Sequence, residues 1–394
     1  MDRSPRPGAR NKPHVSAKAH IDVPVDGIVR APLAEVHGWV AADDAAQLDR
    51  ISLVNARGDS IPLTAVDRPD VRAAYQDRAC TGFSGWIGIR EAALGPWRVR
   101  YQTAQQHAAE ASIDLRADRS SANAFAQAKR AKLARIRPLL RCPLCRAALS
   151  GEAELRCERG HAFTAGADAY DFRSDEVRLR GAFHTESVSA HGYDGSLLEL
   201  IAAADGPVLD VGAGLRPQYR DDVVNLEIVP YPTTDVLAAS ERLPFADAAF
   251  ALVISVAVLE HVRDPFAAAR EIERIVAPGG RVFAAVPFLQ PYHGYPDHYY
   301  NMTAPGLRNL FPAFDVERLD VPASGLPVFA LTWMLKSWRD ALPPEAAAAF
   351  DAMRVADLAV DPMTLIGERF VRELPLAMNA QLAALNVLVA RKRG

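Results

Sequence analysis

From about Ile21 to Leu115 apolar and polar residues alternate in short runs: Ala34–Ala41, Arg50–Asn55, Ser60–Val66, Phe83–Ile89, Trp97–Thr103 and Ala111–Leu115. A period of two marks strands that bury one face. Turn signals such as Arg57-Gly58-Asp59 and Leu94-Gly95-Pro96 punctuate them. Six such strands in under a hundred residues predict an all-β sandwich over 21–117, with Trp39, Phe83, Trp86 and Trp97 supplying its core or part of a binding face. Residues 118–140 are compatible with a helical linker, and beyond 183 the pattern changes again. Pro207–Val211, Val223–Glu227, Phe250–Val256 and Arg281–Val286 read as buried strands. An amphipathic helix runs to Val276 and is stopped by Pro278-Gly279-Gly280. Buried strands alternating with helices predict a doubly wound parallel α/β sheet over 183–394. A strand at Phe314–Val321, a helical insertion over 326–378 and a final antiparallel strand at Ala383–Ala390 complete the expectation.

Composition narrows the class. Hydrophobic residues make 49 % of the 394 and charged residues 24 %, which excludes global disorder and a fibrous chain. Lys+Arg 45 against Asp+Glu 48 gives net −3, so no overall positive field draws the protein to nucleic acid. The longest apolar stretches, Phe250–Leu259 and Leu326–Leu335, are about half of the ~18 residues a membrane span needs. Residues 1–20 carry five cations and no apolar run, which reads as a disordered basic tail rather than a secretion signal; a cytoplasmic location is expected, with peripheral membrane contact still open. Six further cations (Lys129, Arg130, Lys132, Arg135, Arg137, Arg141) fall in the linker with no acid between them. They suit a solvated helix face or a contact with a polyanion.

Residues 141–175 hold the clearest metal signal. Cys142 and Cys145 form one tight pair, Cys157 and His161 a second, eleven residues further on. Three thiolates and an imidazole on two knuckles describe a tetrahedral Zn²⁺ site, structural because four protein ligands leave no open position. The segment Cys142–Phe163 resembles the zinc ribbon that precedes the catalytic domain of ribosomal RNA guanine methyltransferases. Upstream, Arg68-Pro69-Asp70-Val71 and Cys80-Thr81-Gly82-Phe83 resemble small β-sandwich modules appended to enzymes of bacterial surface-polysaccharide assembly.

A glycine turn, Gly212-Ala213-Gly214, follows the strand ending in Asp210-Val211, and Glu227 ends the next strand seventeen residues after Asp210. Pro217 breaks the dinucleotide fingerprint. Together LDVGAG, NLE, SERLPFADAAF, VLEHVRDP and APGGRVF resemble the class I S-adenosylmethionine-dependent methyltransferases. The resemblance implies that Asp210, Gly212 and Gly214 surround the methionine part of the cofactor and that Glu227 holds the ribose hydroxyls. Ser240 and Glu241 would lie beside the adenine, with Leu243 as an apolar contact. The acid usual before LPF is absent here, and the short segment between Gly214 and Asn225 predicts a shortened or irregular crossover helix.

Glu260 and His261 are read as capping the next helix and lining the cofactor's methyl end, with a catalytic reading beside it. The stretch Gln290–Thr303 is dense in polar-tipped aromatics and follows a strand's carboxyl end, where such sheets place acceptor loops. It resembles an HxYPxHYxNxT loop found in other methyltransferases. His293 or His298 is expected to act as the base for a hydroxyl acceptor, oriented by Asp297. The preferred reading is an enzyme that O-methylates a sugar or glycan intermediate, free or carrier-linked, in envelope polysaccharide biosynthesis. An RNA methyltransferase using the ribbon and the basic linker is the second reading, and a non-catalytic glycan-binding adaptor the third.

Overall fold

The structure, a computed structural model, describes residues 17–42, 48–75, 79–103, 108–181, 192–294 and 297–384. The expected strand at 383–390 falls almost wholly outside them, as does most of the basic tail. The strand Ala17–Val23 takes the tail's last residues, so the β-rich region starts earlier than the alternation suggested.

Seven strands form the N-terminal region in the spatial order Ala17–Val23, Leu33–Ala42, Ala79–Gly88, Ser60–Val66, Leu48–Asn55, Trp97–Thr103 and Ala108–Ser112, every neighbour antiparallel. The strand Ser60–Val66 pairs with Leu48–Asn55 through its first half and with Ala79–Gly88 through its second, so it links the two halves of the sheet. Val36, Leu53, Phe83, Ile87, Trp97 and Tyr101 fill the core between them. Trp39 and Trp86 stay half-buried, and Trp39 packs against His20 and Tyr75. Arg68 bridges Asp22 and Asp70, which ties the Arg68–Val71 segment to the first strand.

The second sheet has eight strands: Glu154–Arg156, Ala162–Ala165, Tyr170–Asp171, Val236–Leu237, Val223–Glu227, Val208–Val211, Phe250–Val256 and Val276–Ala285, in that spatial order. The first three belong to the cysteine-bearing segment. Tyr170–Asp171 pairs in parallel with Val236–Leu237, so the ribbon is an extension of the α/β sheet rather than a bead on a linker. The remaining strands are all parallel. Chain order reverses between Val208–Val211 and Phe250–Val256, the position where doubly wound sheets open a crevice. Leu197 and Ile201 of the helix Gly195–Ala202 cover one face over Val208, Val223, Leu252 and Ile254. Ala268, Ala269, Ile272 and Ile275 of the helix Pro265–Ile275 cover the other over Leu209, Val224 and Val253.

Three expectations need correction. Phe314–Val321 forms no strand. Residues 212–222 cross between parallel strands with no helix at all, going beyond the shortening that Pro217 suggested. The helix Arg119–Ile136, capped by Asp118 on the Ser121 N–H, holds that crossover from below. Its cations do not share one solvated face: two turn into the core, while Arg130 and Arg135 stay exposed. Lys129 and Lys132 are fully buried. Lys129 Nζ donates to the carbonyls of Pro232 and Thr234, both at 2.6 Å. Lys132 Nζ lies 2.6 Å from Asp235 Oδ2 and donates to the Arg220 carbonyl at 3.0 Å. Arg135 reaches Asp221, Arg137 the Gly151 carbonyl, and Arg141 the carbonyls of Pro138 and Leu140. Arg130 is exposed and makes no such bond among the described residues.

From Ala304 to Gln381 short helices recur, with Pro327–Ala341 and Pro344–Asp351 packed around Leu342, Ala346, Phe370 and Leu374. No helix among the described residues is long and apolar enough to cross a membrane.

Candidate active site and metal centre

A cavity of about 1240 Å³ runs along the carboxyl ends of the parallel strands. Its lining follows the strand order, which gives the cavity a direction. Phe172 and Arg173 leave the ribbon's last strand. Ala239–Glu241 leave the next, then come Glu227 and Ile228, then Gly212 and Gly214, then Val258 and His261, and at the far end His293 and Gly294.

The glycine turn is required by geometry. Gly212 and Gly214 have φ of 69° and 62°. A Cβ on Gly212 would sit 2.4 Å from Val258 Cγ2, so only glycine lets the two strand ends close up beneath a ligand. Glu227 stands at the wall with Oε2 accepting from the Gly214 N–H at 3.0 Å and Oε1 from the Ile228 N–H at 2.6 Å. Each oxygen keeps acceptor capacity, as a ribose diol requires. Burial pushes this carboxyl above its usual range.

Asp210 is wholly buried, and burial lifts its carboxyl as well. Its Oδ2 accepts from the Tyr193 hydroxyl at 2.7 Å and from Arg216 Nε at 2.8 Å, while Oδ1 has no donor among the described residues. Arg216 was missed in the sequence. It sits two residues past the glycine turn, and its guanidinium stacks over the Tyr193 ring at 4.7 Å. Ser240 and Glu241 line the cavity in a single 3₁₀ turn, Ser240–Arg242. Leu243 is turned into the core and gives its N–H to Glu271, so it is no contact for a ligand.

At the far end three imidazoles converge. His261 packs against His293 and His298, with centroids 5.3 and 5.6 Å away, and His293 lies 4.3 Å from His298. His261 Nδ1 is 2.7 Å from the Asp297 carbonyl, and His293 Nδ1 is 2.8 Å from the Pro291 carbonyl. Both rings therefore donate from Nδ1 and carry the lone pair on Nε2. His298 is engaged on both nitrogens, accepting from the His293 N–H at 3.2 Å and meeting Asn301 Oδ1 at 3.0 Å. The Asp297 carboxylate takes the Tyr299 hydroxyl at 2.8 Å rather than a histidine; its backbone carbonyl does the orienting, and on His261. Burial holds His261 and His298 below the ordinary histidine range. Gly294 (φ 122°) lets the loop pass His261, because a Cβ there would lie 2.4 Å from Cε1. Trp333 of the helix Pro327–Ala341 closes this end, 5.1 Å from His293. Tyr295 lies outside the described residues.

Under these rings Glu260 is 0 % exposed, and burial pushes its carboxyl up to about 8. Its backbone carbonyl accepts the Tyr299 and Tyr300 N–H groups, while neither carboxyl oxygen meets a donor among the described residues.

The second centre is the ribbon. The donor atoms of Cys142, Cys145, Cys157 and His161 all lie within 4.8 Å of one another. Cys145 and Cys157 sulfurs are 3.6 Å apart, and His161 Nδ1 lies 3.3 Å from those of Cys142 and Cys157. Tetrahedral zinc with bonds of ~2.3 Å sets sulfurs about 3.8 Å apart, so the set fits zinc. Backbone N–H groups of Leu144 and Cys145 point at the Cys142 sulfur, and those of His161 and Arg159 at Cys157, a donor pattern suited to thiolates. Leu144 and Phe163 of this ribbon also line the cavity.

Residues 209–284 match the methyltransferase domain family. No curated protein matches the chain. Solved structures similar to it include the YcgJ protein of Bacillus subtilis, 18 % identical over 35 % of this chain and 82 % of that one, with a TM-score of 0.26. The cyclase SpnF is 19 % identical over 51 % and 80 %, with a TM-score of 0.29. A phosphoethanolamine N-methyltransferase of Haemonchus contortus, in complex with phosphomonomethylethanolamine and S-adenosylhomocysteine, is 14 % identical over 48 % and 47 %, with a TM-score of 0.28.

Proposed function

We propose that this chain, an S-adenosylmethionine-dependent methyltransferase, methylates a hydroxyl oxygen of a sugar or glycan intermediate. The single observation behind the acceptor chemistry is the far end of the cavity, where two imidazoles with open Nε2 lone pairs meet aromatic rings. The bound cofactor supplies a methyl group on a sulfonium. Glu227 takes the ribose hydroxyls, the glycine turn admits the methionine part, and Ala239–Glu241 flank the adenine. With the cofactor lying along the strand ends in that direction, His261 and His293 face the acceptor oxygen. Their unprotonated Nε2 atoms can hold its hydroxyl by hydrogen bonds, and Trp333 helps to exclude water. Tyr292 and Tyr300 are exposed near this loop and offer apolar faces with polar tips, which suits a sugar.

The resemblance of the β-rich region to modules of polysaccharide enzymes points the same way. The RNA reading is weakened, because Lys129 and Lys132 of the linker are buried in the fold and offer no charge to a polyanion. In the ribbon, the four-donor set leaves no open position, so its ion would serve folding and would keep Leu144 and Phe163 against the cofactor. The test is transfer of labelled methyl from the cofactor to nucleotide sugars, to carrier-linked glycan extracts and to ribosomal RNA in parallel. Label in the sugar or glycan fractions is expected. Label in RNA alone would replace the substrate class.

A further inference from the structure

We propose that Glu260, His261 and His293 bind a divalent first-row transition-metal ion beside the acceptor oxygen. The proposal rests on the reading of this end of the cavity as the acceptor end. One donor atom from each of the three residues lies within a mutual span of 4.8 Å, with Glu260 Oε1 3.8 Å from His261 Nε2. That separation is too long for a hydrogen bond and a few tenths of an ångström wider than the ~3.4 Å between tetrahedral N and O ligands, so the two side chains would draw together slightly on one ion.

The tautomers agree. A metal-binding histidine hands its other N–H to a carbonyl or carboxylate, which fixes the ring and frees the second nitrogen. His261 does this through the Asp297 carbonyl and His293 through the Pro291 carbonyl. His298, the third ring of the cluster, has both nitrogens engaged and is no ligand. The strongest observation is Glu260 itself. Its side chain is completely buried, and no protein donor among the described residues reaches either oxygen. A carboxylate in that position costs several kcal/mol unless a cation is beside it.

Two neutral imidazoles and a carboxylate are a ligand set for zinc, iron, manganese or cobalt rather than for calcium or magnesium. Three protein ligands leave open positions, in contrast to the closed ribbon site. An acceptor hydroxyl occupying one of them would lose its proton to solvent more readily. The oxygen that then takes the methyl would be held by the ion in place of direct hydrogen bonds to the two Nε2 atoms, with no histidine required as a base.

The experiment is metal stoichiometry and spectroscopy on the full chain. Zinc-saturated and dialysed protein should hold two equivalents per chain, falling to one in Glu260→Gln and in His293→Ala. Cobalt-loaded wild type should show thiolate charge-transfer absorption from the ribbon plus weaker bands from a site without sulfur, and only the latter should vanish in both variants. Retained cofactor binding by calorimetry identifies variants that are folded. One equivalent in the wild type, or a second equivalent that survives in both folded variants, overturns the proposal. Methyl transfer to a hydroxyl by protein shown to hold a single equivalent would sink the metal site and leave the acceptor reading standing.

Discussion

Among the buried charges of this fold, two are built in opposite ways. Beneath the sheet, Lys132 meets Asp235 at 2.6 Å, and every neighbour helps. Asp235 also accepts the Tyr219 hydroxyl at 2.6 Å and the Asn225 N–H at 2.9 Å, while the Tyr219 ring lies 4.0 Å from the Lys132 ammonium. At the far end of the cavity, Glu260 is equally buried and its carboxyl meets no protein donor among the described residues. Glu227 lies between them, with one backbone donor on each oxygen and capacity to spare. A buried charge with a full set of partners serves the scaffold, because desolvation is offset within the chain. One with no partners is held neutral by a proton, or charged only when something outside the chain completes it.

The largest effect should come from breaking the complete pair. Lys132→Met leaves Asp235 buried without its cation and should cost about 3–5 kcal/mol of stability in denaturant unfolding. Lys132→Met combined with Asp235→Asn should recover much of that loss. An unchanged unfolding midpoint in the single variant would mean that the pair is not what fastens the helix Arg119–Ile136 to the sheet.

That helix also marks where the sequence was and was not legible. Phe125, Lys129, Lys132, Leu133 and Ile136 fall at helical spacing along one stripe, so the two lysines sit among core residues. Counting cations hid this, and the periodicity could have shown it. The cysteine knuckles and the glycine turn were legible because their chemistry is local: ligands three or four residues apart, a turn that only glycine can make. Glu260 and His293 are thirty-three residues apart and meet only because their strands are neighbours in the sheet. The Phe314–Val321 segment has strand composition but gains no pairing partner among the described residues, and β-propensity without a neighbour does not make a strand. Arg216 could not be assigned to Asp210 because no spacing rule fixes a side chain in an irregular crossover.

The next effect tests the intermediate case. Glu227→Ala should weaken cofactor binding by about ten- to a hundredfold, the worth of one or two charge-assisted hydrogen bonds at ~1.5–3 kcal/mol in all. Circular dichroism should stay native. Equal affinity in calorimetry would remove Glu227 from the ribose and move it to the scaffold side of the comparison.

A smaller loss is expected from the ribbon, whose cavity residues depend on its fold. Chelation, or Cys145→Ser, should lower cofactor affinity by about tenfold as Leu144 and Phe163 give up their apolar contact. Zinc should restore the chelated wild type and not the variant. Full affinity in metal-free protein would make the ribbon an independent module that happens to share a sheet.

The smallest effect on stability is expected at Glu260, and its sign separates the two kinds of buried charge. With its carboxyl pushed up to about 8, Glu260 is mainly neutral near pH 7 when no ion is bound, so Glu260→Gln then keeps both shape and charge and the new amide inherits the same lack of partners. In chelator-treated protein, compared with wild type treated alike so that the ribbon's contribution cancels, Glu260→Gln should be neutral or more stable by up to about 1 kcal/mol. Asp235→Asn in the same buffer should be destabilising. Added zinc or cobalt should then raise the wild-type midpoint further than that of Glu260→Gln, because only the wild type gains the linkage free energy of a second bound ion, about 2.7 kcal/mol at a hundredfold excess over Kd. If Glu260→Gln is as costly as Lys132→Met with the metal removed, Glu260 is satisfied within the chain, and the contrast between the two buried charges fails.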